Sequence, residues 1–353
     1  MTQKTFTARH GMLVARALES CWRSEPSPIQ LTPVELEEIS PILLKSGAAA
    51  LVWWRLSRAG RSQSYEEFFA AYKQQTLEAA VHEDDVAQVF RALNSARLGA
   101  LVVKGWAIAR LYPAPGLRQY GDLDLCVRAQ DYRSALELLQ QSLTSEIWID
   151  LHEGTGPLDY ATEAELFDRS ILVPVAEISA RVPCPEDHLR ILCLHLLRHG
   201  AWRPLWLCDI ALALETRAAN FDWQLFFGND SKRAEWLVCV LGLAHRLLGA
   251  RVDDTPIAER AANVPSWLSR AVLRRWGRWF NSDYRNTALP SLWSNKWKPM
   301  RLLEDIYFRC DPIRATVEMK GSFNGGPRLP YQIAAFLRRA PEITTQVIKR
   351  PRR

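Results

Sequence analysis

The sequence predicts an α+β fold in which a small mixed sheet is flanked by two mostly helical regions. Two short segments in the middle of the chain predict the sheet: 99–103 is apolar and rich in β-branched residues, and 122–127 alternates polar and apolar residues. The segments on either side have the apolar spacing of amphipathic helices. We expect a helical region over 1–95, an αβ core over 96–182, a helical domain over 183–345 and a basic tail over 346–353.

The composition is that of an ordinary globular protein. The 353 residues, 48% hydrophobic and 24% charged, are enough for two or three compact units. No apolar run reaches the roughly 18 residues that a membrane helix needs, and the first residues lack the pattern of a signal peptide, so we expect a cytoplasmic protein. The seven cysteines are scattered without a Cys-x-x-Cys pair, which predicts reduced, mostly buried thiols.

The net charge of +6 suits a partner that carries phosphates. The chain also has 14 tryptophans, several beside arginines in the segment 267–279. Such residues can stack on nucleobases, but helix packing explains them more simply. The sequence contains no standard motif for reading DNA or RNA, so a nucleic-acid partner stays an open alternative.

The N-terminal region is predicted to be helical throughout. Thr32 has the pattern of an N-cap, with proline next and glutamate at the third position. The longest segment, 64–96, has apolar residues at helical spacing, Leu77 and Val81 among them. A buried helix face is the simplest interpretation of this spacing. The predicted helices cover 11–22, 33 onward, 41–56 and 64–96.

The middle of the chain predicts strands and helices in alternation, and the part beyond it is helical again. After the strand at 99–103 come a Lys-Gly turn at 104–105, a helix at 106–112, a strand at 122–127, a helix at 130–143 and a strand at 146–152. A short helix at 166–170 and an extended segment at 171–182 follow. Further helices are predicted at 185–199, from 206 onward, within 221–250 and at 265–280, 300–310 and 331–339, with a loop at 281–299.

Asp122 and Asp124 form the first candidate site. Side chains alternate along a strand, so the two carboxylates lie on one face, about 7 Å apart. Two carboxylates on one face repel each other, and a cation between them removes the repulsion. Mg²⁺ takes oxygen ligands and keeps positions open for substrate phosphates. An Asp-x-Asp is also common on exposed strands without any function, and the strand-turn-helix before it favours the functional interpretation.

This stretch resembles the polymerase-beta-type nucleotidyltransferase superfamily. It resembles more closely an uncharacterised bacterial family of that superfamily, through Lys104-Gly105, Tyr112, Arg118, Asp122 and Asp124. The resemblance implies a site with two Mg²⁺ ions and an NTP substrate. It also implies that Lys104, Gly105, Arg118 and Arg198 bind the nucleotide.

The resemblance further implies a third carboxylate on a neighbouring strand. Asp150 occupies that place, within an Asp-Leu-His stretch, on the face of strand 146–152 that also carries Trp148 and His152. Asp122, Asp124 and Asp150 are then the catalytic and metal-binding set. A simpler alternative makes Asp150 a strand-end residue that caps a turn, and His152 a hydrogen-bond partner of a carboxylate.

His195 and His199 lie four residues apart on one helix face. A zinc site is disfavoured because the His-Glu-x-x-His pattern is absent. By resemblance, this second helical domain closes over the nucleotide cleft, where Arg198 or Arg203 would reach phosphates. The alternative is a His–Asp hydrogen-bond network between two helices.

The sequence therefore predicts a metal-dependent nucleotidyltransferase that moves an NMP group from an NTP to a hydroxyl or phosphate acceptor. The acceptor is not defined and could be a small molecule, a peptide or a protein. The alternative is an inactive nucleotidyltransferase fold that binds a nucleotide or a protein. Trp106 favours the alternative, because the superfamily usually has Gly or Ser at that place in the turn.

Overall fold

The computed structural model describes residues 8–60, 65–142, 147–154, 161–277 and 311–348, with side chains up to residue 338. Over these ranges the chain forms fifteen α-helices and two small sheets, of three and two strands. The predicted α+β fold, with a small sheet flanked by helices, is therefore confirmed. The predicted loop at 281–299, the helix at 300–310 and the tail beyond residue 348 lie outside the described residues.

Four helices form the N-terminal region. The predicted capping box at Thr32 is present: the Glu35 N–H donates to the Thr32 hydroxyl oxygen, and the Glu35 carboxylate accepts from the Thr32 N–H. The single helix predicted over 41–56 is wrong, because Gly47 takes a left-handed φ of +77° and ends the second helix. The helices are α1 (Ala8–Leu18), α2 (Pro33–Ser46), α3 (Ala49–Arg58) and α4 (Glu66–Ser95).

Helix α4 connects two separate hydrophobic cores. Phe68 near its beginning packs into the core of the helical regions, whereas Phe90 near its end packs into the core around the sheet. The middle of the helix runs over the surface between them, and Leu77 and Val81 are 71% and 62% exposed. The prediction that these two residues are buried is therefore wrong.

The three-stranded sheet has β2 in the centre. Strand β1 pairs with β2 antiparallel, and β3 pairs with β2 parallel. All five residues of β2 are buried, because α4 and α6 cover one face and the other lies under neighbouring segments. The elements are β1 (Ala100–Val102), α5 (Gly105–Ala109), β2 (Leu123–Val127), α6 (Tyr132–Ser142) and β3 (Ile149–Glu153).

The predicted extended segment at 171–182 is a β-hairpin. Its strands pair antiparallel with Val173 opposite Ala180, and both residues belong to the core around the sheet. The second strand packs against α4 and β1. The elements are α7 (Glu163–Arg169), β4 (Ile171–Val175) and β5 (Ile178–Val182).

The C-terminal helices share a hydrophobic core with the N-terminal ones. Leu18 of α1 and Leu51 of α3 belong to the same cluster as Leu196 and Leu241 further along the chain. Across the described ranges, no helix is both long and apolar enough to cross a membrane. The helices are α8 (Pro185–Arg198), α9 (Pro204–Glu215), α10 (Trp223–Phe227), α11 (Ser231–Leu248), α12 (Ala258–Ala261), α13 (Ser266–Trp276), α14 (Pro312–Glu318) and α15 (Leu329–Ile348).

The contact between α1 and α13 yields a test of this shared core. A Cβ added at Gly11 would lie 1.9 Å from the carbonyl oxygen of Leu273. We expect Gly11→Ala to lower the free energy of unfolding by about 1–3 kcal/mol, because the two helices must move apart. Urea denaturation followed by circular dichroism measures the change. Gly121→Ala is the control, since no heavy atom lies within 4 Å of its Cβ position. Equal stability of the two variants would contradict this packing.

Candidate active site

The turn after β1 places Lys104 beside β2. The N–H of Val103 still donates to the carbonyl of Asp124, at 3.0 Å. Lys104 then takes φ +56° and ψ −139°, a conformation that costs a residue other than glycine about 1–3 kcal/mol. At Gly105, with φ +22°, a Cβ would lie 3.3 Å from the carbonyl oxygen of Asp122. Glycine is therefore favoured here by both the close approach and the positive φ.

Asp124 and Asp150 lie side by side on neighbouring strands. The parallel register of β2 and β3 pairs Asp124 with Asp150 and Cys126 with His152. Asp150 and His152 share one face of β3, because side chains alternate along a strand. One ligand atom from each of Asp124, Asp150 and His152 lies within 4.8 Å of the other two. The structure therefore brings two of the three predicted carboxylates together, with an imidazole beside them.

The Asp124 carboxylate is buried among compensating groups. The residue is only 7% exposed, and its Oδ1 forms an ion pair with the Lys104 ammonium. Burial alone would raise the pKa of this carboxyl, but His152 and Lys104 together outweigh burial and hold the pKa below its usual value. Asp124 is therefore ionised at neutral pH and available as a ligand for a cation.

Asp122 lies one residue before β2 begins, at an exposed position. Partial desolvation of its carboxyl, together with the charges of Asp124 and Asp150, raises its pKa above the usual value. The three aspartates therefore influence one another electrostatically. A divalent cation between them would offset this repulsion, and a role for Asp122 as a metal ligand stays a prediction.

His152 is the residue of the cluster that was not among the predicted ligands. Its Nε2 lies 3.1 Å from Asp150 Oδ2 and 3.5 Å from Asp124 Oδ1. This nitrogen is buried and lies within ion-pair distance of both carboxylates. An imidazole nitrogen between two carboxylate oxygens belongs to a donor set that fits a divalent cation. In the predicted strand, the alternation of side chains already placed His152 on the same face as Asp150. The sequence therefore carried a signal for this residue of the cluster.

Arg118 is held by a buried carboxylate. Its Nη2 donates to Asp209 Oδ2 at 2.8 Å, its Nη1 donates to the Gln119 carbonyl at 2.9 Å, and Tyr112 Oη donates to Asp209 Oδ1 at 2.9 Å. Arg118 is 5% exposed and Asp209 is fully buried. These contacts make Arg118 a part of the core beside the site. Its predicted contact with a nucleotide stays a prediction, and the contact would compete with Asp209.

Two further arginines, which the sequence predicts to reach phosphates, belong to the C-terminal helical region. Arg198 ends α8 and is exposed, and its charge, like that of Lys104, acts on the half-buried ring of His195. Arg203 donates from Nε to the carbonyl of Ser46 at 2.8 Å. Burial lowers the pKa of Arg203 to about 10, with a further contribution from Arg118, while Asp122 opposes the shift. Arg203 therefore lies within electrostatic range of Asp122, and both arginines remain candidates for phosphate contacts.

The pair His195 and His199 forms an aromatic cluster with Trp206. Ring centroids of His195 and Trp206 are 4.5 Å apart in an edge-on arrangement, and those of the two histidines are also 4.5 Å apart. Burial holds the pKa of His195 well below its ordinary value, so this ring is neutral. In the described part of the chain, no third metal ligand joins the two histidines. Asp209 of the next helix, the aspartate considered for a His–Asp network, accepts hydrogen bonds from Arg118 and Tyr112.

Comparison with known protein families finds one match. A family model described as uncharacterised nucleotidyltransferase matches residues 33–142 and 143–249. The match covers α2 to α11 and includes all of the acidic cluster. No curated protein and no solved structure matches the chain.

The buried ion pair of Arg118 and Asp209 yields a stability prediction. Asp209→Ala leaves the Arg118 guanidinium buried without its counter-charge, so we expect the free energy of unfolding to fall by about 3–5 kcal/mol. Urea denaturation measures this loss. The control is Glu137→Ala, which breaks the exposed ion pair of Glu137 with Arg133 and should change stability little. A similarly small change in the Asp209 variant would contradict the structural role of this pair.

Proposed function

The chain belongs to the uncharacterised nucleotidyltransferase family, and we propose that it moves a nucleoside monophosphate group from an NTP to a hydroxyl or phosphate acceptor. In this reaction an acceptor oxygen forms a bond to the α-phosphorus of the NTP. The bond from that phosphorus to the bridging oxygen breaks, and pyrophosphate leaves. The proton of an acceptor hydroxyl passes to a carboxylate of the protein.

The observation that carries the proposal is the position of Asp124 opposite Asp150, with His152 completing the cluster. Two carboxylates and an imidazole within 4.8 Å of one another fit a divalent cation. The resemblance implies Mg²⁺. When bound, such an ion neutralises charge on the phosphate oxygens and lowers the barrier to attack.

The burial of each carboxylate suggests its role. Asp124 is buried and held ionised by Lys104 and His152, which suits a fixed ligand. The Asp150 side chain is 54% exposed, so an acceptor hydroxyl can reach it, and it is the candidate general base. Asp122 lies one residue before β2, and it would hold the metal together with Asp124.

The cationic side chains suggest where the triphosphate lies. Lys104 and Gly105 form the turn beside Asp122 and Asp124, and the absence of a side chain at Gly105 lets the turn lie close to the Asp122 carbonyl. Arg198 and Arg203 add positive charge from the helical domain. Such charges stabilise the negative charge that develops on the leaving pyrophosphate.

One observation favours the second candidate function, a module that binds nucleotide without transferring it. Trp106 stands in the turn where Ser or Gly is expected from the resemblance. Its ring is buried, and its Nε1 donates to Glu83 Oε2 at 2.9 Å. The turn therefore lacks a hydroxyl that could contact the triphosphate at this position.

The roles of the carboxylates predict the effect of single substitutions. Asp124→Asn removes a cation ligand and Asp150→Asn removes the proposed base, so we expect each to lower pyrophosphate release from NTP by at least about 100-fold. Release is measured for all four NTPs with a panel of hydroxyl acceptors. The control is Glu153→Gln on the opposite face of β3, which should retain activity with an unchanged circular dichroism spectrum. Full activity in the Asp124 variant would contradict the proposal.

Nucleotide binding separates the two candidate functions. We expect isothermal titration to show NTP binding that requires Mg²⁺ and is lost in the double variant Asp122→Asn/Asp124→Asn, because a cation held by these carboxylates would offset the charge of the triphosphate. Binding with product formation supports the transferase. Binding without product for any acceptor supports the module. Failure of every NTP to bind would contradict both.

A further inference from the structure

The two sides of the Asp124 carboxylate differ in the charge that they offer. Strand β2 lies between β1 and β3, so a group on Asp124 is flanked by one neighbour on each side. On the β1 side, the Lys104 ammonium contacts Asp124 Oδ1. On the β3 side lie Asp150 and His152, a carboxylate and an imidazole that both accept a cation. A positive charge is thus already present on one side, whereas the other side adds a second carboxylate.

The backbone of Lys104 is shaped for this contact. Its φ of +56° with ψ −139° is a conformation that glycine adopts without strain and lysine does not. Strain of this kind persists where the surrounding structure holds a residue for a function. The side chain is only 17% exposed, so its ammonium is directed at the carboxylate and not into solvent.

A divalent ion on the β1 side would have to share Asp124 with this ammonium. Two cations at one carboxylate repel each other, and the repulsion is strong where water is excluded, as it is around the buried Asp124. On the β3 side, His152 Nε2 lies 3.5 Å from the same oxygen, Oδ1, and 3.1 Å from Asp150 Oδ2, so a second carboxylate is present there to offset the charge of an ion. The geometry therefore favours an ion on the β3 side.

We propose that this site takes one divalent cation, on Asp124, Asp150 and His152, and that the Lys104 ammonium fills the position of a second cation. The inference rests on the proposed function, because it concerns the same site. It departs from the two Mg²⁺ ions that the resemblance implies. Lys104 then supplies from the protein one of the positive charges that face the triphosphate, so the transfer depends on a single bound ion.

Mn²⁺ is the probe for the test, since it accepts both carboxylate and imidazole ligands and its free form is counted by electron paramagnetic resonance. The full chain is titrated with MnCl₂, alone and with a non-hydrolysable NTP analogue. We expect one Mn²⁺ per chain. His152→Ala should weaken this binding at least about 10-fold, and Asp124→Asn should abolish it.

Two variants remove the ammonium in different ways. Lys104→Met keeps the length of the side chain, and Lys104→Gly also relieves the backbone strain, so it preserves the fold even where the first variant does not. We expect both to bind a second Mn²⁺ in the presence of the NTP analogue. Lys104→Arg keeps the charge and should still bind one.

Two Mn²⁺ ions per wild-type chain would overturn the inference, as would no Mn²⁺ at all or a Lys104→Gly variant that still binds only one. These readouts do not depend on catalysis. A protein without transferase activity that binds one Mn²⁺, and two after Lys104→Gly, would refute the proposed function and leave this inference standing. An active transferase with two Mn²⁺ ions in the wild type would do the reverse.

Discussion

The parallel pairing of β2 with β3 is the constraint on which the candidate site depends. Its register sets Asp124 opposite Asp150, an arrangement that costs electrostatic energy unless positive charge is near. Lys104 on one side and His152 on the other lower that cost. A shift of the register by one residue would turn Asp150 and His152 to the opposite face of the sheet, and the cluster would be lost.

The helical regions hold this sheet in place through a buried polar network. Asp209 of α9 accepts hydrogen bonds from Arg118 and Tyr112, which both lie in the segment between β1 and β2. Because every charge in it is paired, the network avoids the penalty of an isolated buried ion. It fixes the segment that leads into Asp122, so a helix far along the chain determines where the acidic strand begins. Since the N-terminal and C-terminal helices share one core, both regions contribute to the position of the site.

The features that sequence reasoning predicted are local ones. Alternation along strand 146–152 was enough to place Asp150 and His152 on one face, because the period of a strand is fixed by its backbone. The position of Asp150 beside Asp124 was expected only from the resemblance, and it depends on the register of β2 with β3. The partner of Arg118 could not be predicted, since 91 residues separate it from Asp209. The prediction that Leu77 is buried failed for a related reason. An apolar stripe shows which face of a helix can pack, but it does not show where along the helix a packing partner is present.

The turn that carries Trp106 departs from the expected pattern, but it still presents a charged side chain, that of Lys104. Trp106 links α5 to α4 through Glu83, and position 106 offers no hydroxyl to the site. Two residues earlier, Lys104 takes a strained conformation with its ammonium against Asp124. A charged donor makes a stronger contact with an anionic oxygen than a neutral hydroxyl does. The turn therefore offers a charged donor at position 104, where the family pattern already has lysine, and no hydroxyl at position 106.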